Sequence, residues 1–306
     1  MKNFNILQII FFFFLTMSLP LFAKESKKNA GMEAIQNYFT QVESLKKEEK
    51  WEEIISLGEK AFSYAEQENV ITNEQKFELV DQLASTYFRL GLFAQGKEKA
   101  KALLSLGNTI LQDEFLVNSL YKFSAIARGE ANITKNKQQQ KELFAQAREF
   151  AQRALEICEI SCANNAPLKA KVSFNAGAAI ADDPEGDYAK AVPIYQEAIK
   201  IFTDANLNDY RQRTLIRLGK LYLLLKNFDK SLEILEKLKS EDFEIRTKMH
   251  FEYSQAQVLF AKDRHEEALK IAQKGLKTAK KLLAKVDISR FHQLITNIEN
   301  ASQKDK

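Results

Sequence analysis

Two cysteines, three histidines and one acidic turn are the residues of this 306-residue chain with side chains suited to chemistry. Cys158 and Cys162 stand four apart in a helical stretch. That spacing puts them on one face with Cα atoms about 6 Å apart, within disulfide range. An oxidising compartment permits the bond, and otherwise the pair reads as two small buried hydrophobes. A redox-active pair needs two-residue spacing and an activating base, which this pair lacks. Asp182-Asp183-Pro184-Glu185-Gly186-Asp187 invites a calcium reading. A calcium loop of the helix–loop–helix type wants glycine sixth and glutamate twelfth, but Gly186 is fifth and Pro193 twelfth. The expectation is a solvated turn. His250, His265 and His292 show no metal-ligand spacing. No nucleophile elbow, phosphate-binding glycine loop or His-Glu-x-x-His stretch occurs, and carboxylate pairs fall on polar helix faces. The expectation is a chain that is not an enzyme, with no metal and no cofactor.

Composition narrows the elements that could position any site. Ten glycines and four prolines are too few for a many-turned β-sandwich or barrel. Apolar residues at 45% supply a core and charged residues at 28% coat it. The net charge of +4 is too mild to argue for nucleic acid. One local exception is the stretch Lys262, Arg264, Lys270, Lys274, Lys277, Lys280, Lys281 and Lys285, against Asp263, Glu266 and Glu267. An acidic partner or lipid headgroup could dock there. The alternative is a solvated outer face near helix C-termini. Asn132-Ile133-Thr134 and Asn300-Ala301-Ser302 match the glycosylation sequon, relevant only in a eukaryotic secretory pathway.

Lys2, the apolar run Ile6–Phe22 and Ala23 before a polar stretch read as a signal peptide over residues 1–23. The competing reading is an uncleaved membrane anchor, for which about 17 apolar residues is short. No cysteine follows the leader, which argues against a lipid-anchored type, and no second run is long enough to span a bilayer. The expected localisation is export, to the periplasm or outside the cell, with no stable membrane insertion after cleavage. Residues 24–32 read as a flexible linker.

Beyond it, apolar residues recur every three to four positions, as in Ala34, Ile35, Tyr38, Phe39, Val42 and Leu45, so the chain is all-α. Two stretches repeat: Leu83, Ala84, Tyr87, Leu90, Phe93 and Leu218, Gly219, Tyr222, Leu225, Phe228. The small residue lets antiparallel helices approach, Tyr fills the gap above it, and the last aromatic opens a return helix. Six return helices follow one pattern, opening at Trp51, Phe93, Phe144, Tyr188, Phe228 and His265, with a small residue three positions on in all but the first.

On these residues the chain resembles the tetratricopeptide repeat family, over about Glu33 to Lys280. The separations of 42, 51, 44, 40 and 37 exceed the family's 34, so helices lengthen or loops are inserted. Gly129–Gln140 reads as such a loop. The expected layout is a right-handed α-solenoid of about six helix–turn–helix pairs over 33–284, without an interior linker, and a capping helix over 285–302.

The resemblance implies a non-catalytic scaffold or adaptor holding a peptide or partner helix in a concave groove lined by first helices. Placed in that frame, the lining comes from Asp81, Ser85, Phe88, Arg89, Asn118, Lys122, Lys169, Val172, Ala176, Arg213, Ile216, Lys220, Tyr253, Gln257 and Phe260. The family's carboxylate clamp is not found among them. Lys122, Arg213 and Lys220 favour an acidic peptide. Alternatives are an envelope- or pilus-assembly accessory factor, or the sensory input module of a signalling system.

Overall fold

The computed structural model describes residues 29–304 except Asn69, Ser240 and Leu283. The proposed signal peptide lies outside the described residues, as does the linker stretch 24–28. The described residues form thirteen helices and no strand: α1 (29–47), α2 (Trp51–Glu68), α3 (Asn73–Leu90), α4 (Phe93–Ile110), α5 (Asp113–Ile133), α6 (Lys137–Ser161), α7 (Ala166–Ala181), α8 (Tyr188–Asp204), α9 (Asn208–Leu224), α10 (Phe228–Lys237), α11 (Ile245–Ala261), α12 (His265–Lys281) and α13 (Lys285–Lys304).

The chain divides into two compact units, Met1–Glu130 and Ala131–Lys306, with the boundary inside α5. The sequence suggested an undivided array, because a boundary within a helix leaves no Pro/Gly-rich or polar linker to read. Residues 29–32, read as linker, are the first turn of α1. The loop expected over 129–140 is also mostly helix: only Thr134–Asn136 lie outside α5 and α6. Asn136 caps α6 by accepting from Gln139 N at 3.0 Å, and Gln140 Nε2 donates to Ala131 O at 3.0 Å. Polar side chains here close helix ends instead of forming a loop.

In the first unit Ile35, Tyr38 and Val42 of α1 bury against Ile54, Ala61 and Ala65 of α2 and Leu79 of α3. Gly91 ends α3 at φ +73°, the left-handed position glycine favours, with Leu92 N reaching Tyr87 O at 2.9 Å. In the second unit the small residues of the return helices are seats for large ones. Ala268, Ala272, Gly275 and Ala279 of α12 lie against α11 and α13, and a Cβ on Gly275 would sit 2.3 Å from the Phe291 ring. Phe291, Leu294 and Ile298 of α13 are buried there. Removing a ring as large as Phe291 from water contributes about 2–3 kcal/mol.

Candidate partner-binding faces

In the first unit, α3 and α5 carry six of the side chains proposed from the sequence, and five of them have partners within the unit. Lys122 Nζ lies 3.0 Å from Asp81 Oδ1 and donates to Ser85 Oγ at 2.6 Å, tying α5 to α3. Phe88 meets Phe93 edge-on, with centroids 5.9 Å apart. Arg89 lays its guanidinium 4.2 Å over the Trp51 ring. Asn118 differs, because its Oδ1 is sealed from solvent without a hydrogen-bond partner among the described residues.

In the second unit, α9 contacts both α7 and α11. Asp209, Arg213 and Arg217 recur every four residues, so they share one face of α9. Arg213 reaches Asp209 at 3.1 Å, Glu244 at 3.1 Å and Thr247 Oγ1 at 3.2 Å. Lys220 lies 4.0 Å from Asp182, and Lys169 pairs with Glu197 at 3.4 Å. Tyr253 packs edge-on against Phe291 at 5.1 Å, and burial raises its phenol pKa against a smaller lowering by Arg290. Gln257 Oε1 is sealed without a partner among the described residues. Val172, Ala176 and Ile216, assigned to the groove from the sequence, are buried in the packing between helices. The three cations expected to attract an acidic peptide therefore each face an acidic group of this chain already.

The acidic turn is the main correction. Asp183 is buried, accepts from Glu185 N at 2.9 Å and is ion-paired to Arg148 of α6. Asp182 takes both carboxylate oxygens to Arg217 Nη1, at 2.9 and 3.0 Å. Two arginines distant in sequence convert an expected solvated turn into a gripped one. Arg217 was absent from the sequence proposal, although its four-residue spacing from Arg213 was there to read.

His250, also missed, stands on α11 between α9 and α13. Its side chain is solvent-accessible, yet crowding removes enough water to push its pKa down to about 4. Asp287 opposes that shift, while Arg217, Arg246 and Arg213 reinforce it. Arg246 Nε has no hydrogen-bond partner among the described residues. Cys158 and Cys162, both buried, are joined in a disulfide at the end of α6 with Cα atoms 4.7 Å apart. His265 keeps its aromatic place, 5.5 Å from the Phe260 ring. Among the described residues no group of His, Cys, Asp and Glu is placed to hold a metal ion.

Residues 212–244, which span α9 and α10, match the family model of the tetratricopeptide repeat. No curated protein matches the chain in sequence. Similar solved structures include aspartyl phosphate phosphatase F from Bacillus subtilis, at 15% identity and TM-score 0.59 over 93% of this chain and 75% of that one. A Rap protein complexed with competence and sporulation factor is similar at 15% identity and TM-score 0.57, over 92% and 79%. A thermophilic protein of the same repeat type from Thermus thermophilus is similar at 18% identity and TM-score 0.55, over 72% and 98%. The stretch 212–244 is thus similar to a tetratricopeptide repeat, and the all-α chain is built on a helical-repeat fold like that of these solved structures.

Proposed function

We propose that the chain is an exported, non-catalytic adaptor whose first helices receive a peptide or a partner's helix. The observation that carries this reading is the state of the α9 face. Arg213 and Lys220 are paired within the chain, yet their side chains remain 33% and 43% exposed. Ion pairs this open contribute about 0–1 kcal/mol, so a partner's carboxylate can displace the internal one at little cost. The similar Rap protein is one held in complex with a factor, which agrees with a binding role for the fold. Export is supported by the signal-like run over 1–23 and by the Cys158–Cys162 disulfide, since such bonds persist in oxidising compartments.

The test is crosslinked capture from the producing cell's envelope and medium with the chain from Lys24, read by mass spectrometry. The paired control carries Lys169→Ala, Lys220→Ala and Gln257→Ala, with melting followed by circular dichroism. A protein captured by the first and lost with the second, at equal stability, supports an adaptor using the second unit's first helices. Equal capture by both overturns that use of the face. Localisation is read separately, by fractionation and by the mass of the mature N-terminus.

A further inference from the structure

The return helix α12 carries a feature that the groove reading leaves unused. Its inner seam is Ala268, Ala272, Gly275 and Ala279, all buried. At 100° per residue, the opposite side falls on Lys270, Lys274, Lys277 and Lys281, a row about 16 Å long. All four are exposed, and Lys280 lies exposed at its edge. No carboxylate occurs between Lys270 and Lys281. Among the described residues Lys270, Lys277, Lys280 and Lys281 have no ion pair, and Lys274, which reaches Glu252, keeps 65% of its side chain exposed.

The neighbouring return helix behaves differently. On and just after α10, Lys237 is matched by Glu233 and Lys239 by Glu236. One acid near the start of the row is committed elsewhere, since Glu267 is taken by both Nε and Nη2 of Arg264 at 2.7 Å. Like charges three and four apart destabilise a helix. A favourable dipole at the C-terminus explains Lys280 and Lys281, but not Lys270 and Lys274, which sit further from that end.

We infer that this row is a docking surface for the anionic headgroups of a bilayer, on which α12 lies lengthwise without inserting. The composition of the row decides between a bilayer and a protein partner. Protein interfaces are depleted of lysine and anchored by aromatics and arginine, whereas lysines on flexible stems suit a diffuse anionic surface. No described helix is long and apolar enough to cross a membrane.

The experiment is vesicle flotation of the chain from Lys24, which keeps all thirteen helices. Vesicles are phosphatidylcholine alone or with one third phosphatidylglycerol, at low and high salt. Binding is expected only to the anionic vesicles and should weaken with salt. Each lysine near an anionic surface strengthens partitioning roughly five-fold, so Lys270→Gln with Lys277→Gln and Lys281→Gln should lower it by roughly 100-fold. Lys237→Gln with Lys239→Gln, which breaks matched pairs, should change it by less than about three-fold. Equal binding to neutral and anionic vesicles overturns the inference, and so does equal loss in the two variants. Binding of a poly-glutamate peptide through the same lysines, with no vesicle binding, also overturns it and assigns the row to an acidic protein.

Discussion

Two connections in the second unit, Thr134–Asn136 and Asp182–Asp187, look alike in sequence, since both sit in polar runs where the repeat spacing stretches. Their structures are opposite. At the first, helices invade the polar run until three residues remain, and local side chains close the helix ends. At the second, the turn stays a turn, but Arg148 and Arg217 reach in and hold its two leading carboxylates. Polarity alone does not report solvation. One polar run serves the hydrogen-bonding needs of nearby backbone, and the other serves charges brought by distant helices.

The largest test of that contrast is Arg148→Ala. Only Asp183 of this pair is buried, the Arg148 side chain being 40% exposed, so removing the arginine strands the carboxylate at a cost of about 2–3 kcal/mol in urea melts. Adding Asp183→Asn should recover part of that loss, because a neutral amide needs no cation. A cost below about 1 kcal/mol, with no recovery, would mean that the turn is held by its own backbone after all. Gly186→Ala comes next. Its Cβ would lie 2.1 Å from Ile180 O, backbone that must shift, so about 2 kcal/mol is expected.

At the other connection Asn136→Ala removes one cap, for about 1 kcal/mol. A larger loss there would erase the distinction between locally and remotely held connections. The smallest effect is electrostatic and reaches beyond the turn. Arg217→Gln releases Asp182 and removes one cation that disfavours protonated His250, so the imidazole pKa should rise from about 4, as NMR titration would show. In the unaltered protein the unfolded chain takes up that proton first, near pH 6.5. Stability therefore declines as pH falls from about 6.5 towards 4. Solvent access to His250 keeps that decline under about 1 kcal/mol.

The helix pairs were readable because helix packing repeats a local rule. The openings at Trp51, Phe93, Tyr188, Phe228 and His265 are first residues of helices, and the small residues after them are seats for neighbouring rings and aliphatic chains. The binding face was less legible. Spacing placed Lys122, Arg213 and Lys220 on first helices but gave no sign that Asp81, Glu244 and Asp182 would meet them across 31 to 41 residues of chain. Val172, Ala176 and Ile216 fell on the wrong side, since a helix touched by neighbours on two sides buries more than one stripe.

The amino-acid order by itself determined an all-helical chain, the small-and-aromatic pattern of its return helices, and the run of lysines from Lys270 to Lys281 with no carboxylate among them. Each follows from residues within a few turns of one another. The tertiary structure decided which charges are spent: the gripped acidic turn, the crowded His250, the paired cations of α9 and the division within α5. Those depend on groups that sequence separates and packing brings to within a few ångströms, where Coulomb attraction and desolvation become strong enough to matter.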